Sequence, residues 1–214
     1  MQTITQIEKA KKGTKRYHIF VNGRKVLSVH EDVLVKFGLH KGMVVQLDQL
    51  AEWARADEYA KVRRAVYRYL GYRARSVHEV RVYLAQQDWD PTVCEQVIQE
   101  CIQQGYLDDQ AFAQAWVEER RHRKGFGKTR LKHELKKKGI SSSDIEIVLQ
   151  NIDEEEERQK AWELAKRRYL RLQDQPWPTI ERRIGQYLMR QGYSSGLIYS
   201  VLDQLRSRKV DEEL

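Results

Sequence analysis

Two groupings in this chain combine residue types and spacing that can do chemistry. The first is Asp108-Asp109 followed by Glu134-Leu135-Lys136, carboxylates and a lysine of the kind that surround a metal in nucleases. That chemistry needs ligands converging from strands, and these residues fall in segments that read as helices, with Asp108 or Asp109 placed to cap one. The second is Gly125-Phe126-Gly127-Lys128, which resembles part of a phosphate-cradling loop but lacks the further glycines and the preceding strand, so no ATP site is expected. The six histidines, His18, His30, His40, His78, His122 and His133, form no HxxxH pair. Cys94 and Cys101 stand seven apart in one apolar helix, the spacing of two buried, reduced core residues rather than a CxxC ligand pair. No nucleophile elbow and no Ser-His-Asp set are present. The expectation is a binding protein with no catalytic residue, metal or cofactor.

The strongest binding signal is charge. The 214 residues carry a formal net charge of +8, concentrated between residues 120 and 138, where ten bases face the single acid Glu134: Arg120, Arg121, Arg123, Lys124, Lys128, Arg130, Lys132, Lys136, Lys137 and Lys138. Such density suits phosphates or an acidic protein groove. On a helical wheel Leu131 and Leu135 point inward, Lys128, Lys132 and Lys136 line one flank, and Arg130 and Lys137 line the other. Arg120 and Lys124, one turn apart on the preceding helix, extend the ridge. Arg63, Arg64, Arg68, Arg73, Arg75 and Arg81 before it, and Lys166, Arg167, Arg168, Arg171, Arg182, Arg183 and Arg190 after it, are candidates to lengthen it. Phosphate contacts of this kind bind in a salt-dependent way with little base preference.

The elements that must carry these residues are repeated. Val80, Leu84, Cys94, Ile98, then Leu131, Leu135, Ile145, Leu149, then Ile184, Leu188, Ile198, Leu202 share one internal spacing. Each set describes two short helices joined by a tight turn, and the copies, 51 and 53 residues apart, leave room for a third helix. The third helices are expected over 59–69 (Val62, Ala65, Val66 and Tyr69 inward), 111–121 (Phe112, Ala115, Trp116 and Glu119) and 161–170 (Trp162, Ala165 and Tyr169). Ser76-x-x-Glu79 and Ser143-x-x-Glu146 have capping-box form, and Asp90-Pro91 and Asp108 also read as helix starts. Gly139-Ile140 and Gly192-Tyr193 read as left-handed stops, a place that Asp88-Trp89 fills less readily in the first unit. Asp153 to Glu157 suit a helix N-terminus, where the macrodipole alone accounts for them. Pro176-Trp177-Pro178 reads as a stiff connection, and any flexing inside a unit is expected at Gly125 and Gly127. Upstream, Tyr17 to Val29 with Asn22-Gly23 at its centre predicts a hairpin, Asp32 a cap for a brief helix ending at Gly38, and Met43 to Val45 a further strand. The fold class is mainly α, tandem three-helix repeats forming an array with a small N-terminal β-hairpin element, divided as 1–47, 48–106, 107–152 and 153–214. With no secretory or membrane-spanning run after Met1, the expected compartment is the cytoplasm.

Gly105-Tyr106-Leu107-Asp108-Asp109, Phe112-Ala113, Trp116, Arg120, Gly125-Phe126-Gly127, Leu131, Glu134-Leu135 and Lys138-Gly139-Ile140 closely resemble the RecX family of RecA regulators. The resemblance continues through Tyr187-Leu188-Met189-Arg190-Gln191-Gly192-Tyr193 and, weakly, through Ser76, Glu79 and Leu84. Asp108, Phe112, Trp116, Gly125, Gly127, Leu131, Leu135 and Gly139 are read as structural. The resemblance implies an elongated, curved monomer that lies in the groove of the RecA recombinase filament on single-stranded DNA and restrains filament growth, strand exchange and ATP hydrolysis. Some members bind DNA directly, so the competing reading is an autonomous protein for single-stranded or double-stranded DNA. The candidates for RecA or DNA contact are Arg120, Arg121, Lys124, Lys128, Arg130, Lys132, Lys136, Lys137, Lys138, Arg167, Arg168, Arg182, Arg183 and Arg190.

Overall fold

The computed structural model describes residues 2–212; residue 1 and residues 213–214, which belong to the expected first and last segments, lie outside the described residues. The chain opens with β1 (Gln2–Lys9), β2 (Arg16–Val21) and β3 (Arg24–His30), continues with α1 (Glu31–Phe37) and β4 (Val44–Val45), and is helical thereafter. The expected hairpin is the β2–β3 pair, turning through Asn22 and Gly23 at φ 48° and 79°, the left-handed pair that a two-residue hairpin requires. It is part of a four-stranded antiparallel sheet in the order β3-β2-β1-β4. β1 is not legible in the sequence, because a register shift between Ile4 and Gln6 breaks the alternation that marks a strand. His30, not Asp32, caps α1: its Nδ1 accepts the Asp32 amide at 3.2 Å. Gly38 ends α1 in the left-handed region, as expected. Trp53, 1 % exposed, enters the core of this element beside Ile4, Ile19, Val29 and Val33, which lets so small a sheet bury one face.

Ten helices are present among the described residues, and α2 to α10 form three sets of three. Eleven of the twelve repeat positions are buried; the exception, Leu149, is partly buried beside buried Val148. The first helix of each set begins earlier than the apolar stripe suggests: α2 (Leu47–Leu70), α5 (Asp109–Lys124) and α8 (Glu154–Tyr169). On α5 the buried residues are Phe112, Ala113 and Val117, with Trp116 partly buried, while Ala115 and Glu119 are exposed. The inner face is therefore rotated from the expected one, because Ala113 and Val117 supply the apolar ridge one turn apart.

The remaining helices are α3 (Val77–Ala85), α4 (Pro91–Gln103), α6 (Lys128–Lys137), α7 (Ser142–Gln150), α9 (Trp177–Gln191) and α10 (Ser195–Glu212). Ser76 and Glu79 form the expected capping box. Asp90 accepts the amides of Thr92 and Val93 ahead of Pro91, and Asp108 accepts that of Ala111. On α7 the cap is Ser141, which accepts the Asp144 amide at 3.1 Å; Ser143 lies within the first turn. Pro176 caps α9, so Trp177 and Pro178 begin that helix rather than link two others. Gly139 and Gly192 lie at φ 74° and 93° with buried Ile140 and Tyr193 behind them, whereas Asp88 is not in the left-handed region.

The chain groups into two compact units: residues 1–74 with 80–107, and residues 75–79 with 108–214. The second unit contains the cores of both later repeats, one around Leu131, Leu135 and Ile145, the other around Ile180, Ile184 and Leu188.

Candidate functional site

The basic stretch lies in the second unit, around the turn between α5 and α6. Gly125, at φ 61°, ends α5 by donating its amide to the Arg120 and Arg121 carbonyls, and Phe126 is then buried. Gly127 donates to the Gln191 carbonyl at 2.9 Å and Thr129 to that of Gly192 at 3.1 Å. The Tyr193 hydroxyl donates to the Gly125 carbonyl at 3.0 Å, and burial pushes that phenol's pKa up. A Cβ on Gly127 would stand 2.5 Å from the Gly192 carbonyl oxygen, and one on Gly192 would strike Arg130. The two glycines therefore permit the start of α6 to lie against the end of α9. The turn where flexing is expected, at Gly125 and Gly127, is the one these hydrogen bonds and close approaches hold.

Five of the predicted cations are committed to neighbours. Arg120 places Nε 3.1 Å from Glu134 and its guanidinium 4.1 Å from the centroid of the Trp116 ring. The Trp116 indole donates to the same carboxylate at 3.0 Å, while Phe112 stacks on Trp116. Lys138 reaches Glu79 at 2.7 Å and also lies over Trp116, and its carbonyl accepts the Ser76 hydroxyl at 2.6 Å. A Cβ on Gly139 would strike His78, so this corner of the unit is tightly filled. Arg121 meets Glu156 at 3.0 Å; Lys128 meets Glu157 at 3.7 Å, and its amide donates to that carboxylate at 3.0 Å. Arg130 lies 3.7 Å from the Phe126 ring centroid and donates to the Arg190 carbonyl at 3.0 Å. The acidic run at the start of α8 thus does more than match a helix dipole: two of its members bind cations of the preceding repeat. The pairing of Glu79, Glu156 and Glu157 with these cations is not legible in the sequence, since partners 59, 35 and 29 positions away leave no local pattern.

What remains open to solvent is narrower than the full stretch. Lys132, Lys136 and Lys137 are exposed on α6 and make no ion pair among the described residues. Lys124 is exposed with its ammonium 5.7 Å from the Phe126 centroid. Arg167, Arg182, Arg183 and Arg190 are exposed on α8 and α9; Arg168 is partly buried over Tyr187. The carboxylates that mimic a nuclease are spoken for: Asp108 caps α5, Asp109 accepts the Val77 amide at 2.8 Å, and Glu134 holds Trp116 and Arg120. Among the described residues no cluster of three or more His, Cys, Asp or Glu is arranged to hold a metal, and no helix is long and apolar enough to cross a membrane. Cys94 and Cys101 are buried free thiols, as their spacing predicts.

Comparison with known proteins agrees with this architecture. The family model for the regulatory protein RecX N-terminal domain matches residues 2–46, and those for the first, second and third three-helix domains of RecX match residues 63–101, 108–149 and 154–202. The regulatory protein RecX of Halalkalibacterium halodurans is 36% identical over 220 residues, spanning 100% of this chain and 82% of the relative. That of Bacillus subtilis is 32% identical over 96% of this chain and 78% of its own length. A crystal structure of a regulatory protein RecX superposes with a TM-score of 0.76 at 30% identity, covering 95% of this chain and 100% of the other. The chain belongs to the RecX family of regulatory proteins.

Proposed function

We propose that this chain regulates RecA recombinase filaments by lying in their groove on DNA and restraining filament growth, ATP hydrolysis and strand exchange. Family membership supports the partner. The observation that carries the reading is the division of the basic stretch into an anchored set and a free set. Arg120, Arg121 and Lys128 brace α5, α6 and α8 against one another, Arg130 ties α6 to α9 and Lys138 ties the end of α6 to Glu79, while Lys132 and Lys136 on one flank of α6 and Lys137 on the other stay unneutralised. Lysines on a helix whose backbone is already held suit an acidic, periodic target, because only their side chains are left to order on binding. In this reading residues 48–106, 107–152 and 153–214 act as successive binding units. The test is RecA-driven ATP hydrolysis on single-stranded DNA. The chain is expected to inhibit it, and charge reversal at Lys132, Lys136 and Lys137 to weaken inhibition with the fold intact. No inhibition at any salt or stoichiometry would refute the reading.

The same three lysines favour a second reading, direct binding to DNA phosphates without the recombinase. Its mark is tight association with naked duplex and a steep salt slope, both removed by the same reversal.

A further inference from the structure

The first unit has a basic groove of its own. α2 and α3 flank a cleft of about 480 Å³, with Arg64 and Arg68 from α2, Tyr83 and Gln87 from α3 and the turn after it, and Trp89 beyond. Lys61 closes one end and is already bound to Asp57 at 2.8 Å. Arg64 and Arg68 are exposed and make no ion pair among the described residues, and no carboxylate lines the cleft. One turn apart on a helix, they are separated by about 6 Å along its axis, so they can address more than one phosphate. Tyr83 is held by stacking on Tyr69, centroids 4.2 Å apart and planes 8° from parallel. Trp89 is half-buried, and its indole nitrogen makes no hydrogen bond among the described residues.

We infer that this groove binds single-stranded nucleic acid, with phosphates on Arg64 and Arg68 and bases against Trp89 and Tyr83. Unpaired cations beside two ring systems match a polyanion that carries aromatic faces. In a duplex those faces are stacked inside the helix, so the rings favour single strands. An acidic protein segment would engage the arginines but has no equal use for both rings.

The test is fluorescence anisotropy of the full chain with a labelled oligothymidylate of roughly 15 nucleotides and with a duplex of equal length, recombinase being absent so that the outcome is separate from that of the filament reading. Trp89→Ala is expected to weaken single-strand affinity about tenfold and duplex affinity less than about twofold, and Trp89→Phe to keep most of the binding. Arg64→Glu with Arg68→Glu is expected to weaken single-strand binding and to flatten its logarithmic salt slope by about 1.4. Both arginines are exposed, so this variant decides the matter if Trp89→Ala fails to fold. The inference is overturned if the arginine variant binds oligothymidylate like the parent, if losses for single strand and duplex are equal, or if polyglutamate displaces the oligonucleotide as well as unlabelled oligothymidylate does.

Discussion

Asp57 is 2 % exposed and accepts from Arg16 at 2.9 Å and from the His30 amide at 2.7 Å, with Lys61 at 2.8 Å. Burial raises its pKa, but the hydrogen bonds from Arg16, Lys61 and the His30 amide outweigh that and hold it below the usual carboxylate range. A carboxylate depressed in the folded state stabilises the fold above its unfolded pKa, and that contribution is lost as pH falls through the folded value. Acid titration is therefore expected to weaken the first unit below about pH 4, and Asp57→Ala to cost about 1–3 kcal/mol, since it leaves the His30 amide without its acceptor, and to remove that acid dependence, read by denaturant midpoints at pH 7 and pH 3. Leu135, wholly buried in the second unit, makes the complementary case. Leu135→Asp puts a carboxylate where no donor waits, at a cost of about 4 kcal/mol, and unchanged melting would contradict the α6 register.

Among the elements, the contact between α6 and α9 depends on two glycines that have to stay bare. Gly127→Ala is expected to cost about 1–3 kcal/mol, because its methyl group meets backbone rather than a movable side chain. The loss would appear as faster amide exchange at Thr129, whose donor bond to Gly192 spans that contact. The exposed face of α6 behaves differently. Reversing Lys132, Lys136 and Lys137 is expected to leave the melting temperature nearly unchanged, since surface changes without partners stay within about 0.5 kcal/mol each, and a large fall would mean these lysines brace the fold. Helix ends were well marked in the sequence where a short polar residue meets its own helix, as at Asp90 and Asp108. The α7 cap was misplaced by two positions because Ser141, Ser142 and Ser143 are locally equivalent as cap candidates.

For the molecule as a whole, two compact units with separate cores predict that unfolding is not a single two-state event. Calorimetry is expected to resolve two transitions, with Asp57→Ala lowering one and Leu135→Asp the other; one transition moved by both variants would show a single cooperative block. The net charge of +8 makes association with a polyanion salt-dependent, and the anchored cations around Trp116 and Phe126 are expected to contribute less to that dependence than the free ones on α6.

By itself the sequence determined the triplicated helical module, its caps at Ser76, Asp90 and Asp108, its stops at Gly139 and Gly192, the Asn22-Gly23 hairpin and the buried thiols, because each is written in spacings of a few residues that backbone geometry reads locally. The tertiary structure alone decided which cations are free. Glu79, Glu156 and Glu157 neutralise Lys138, Arg121 and Lys128 across 59, 35 and 29 positions, and folding brings Gly127 against Gly192. Strand β1 and the inner face of α5 were hidden for the same reason: a bulge and a rotated stripe take their meaning from the neighbours they pack on. Charge and shape add up in space, so a basic run in one dimension becomes a surface only after its partners have been placed.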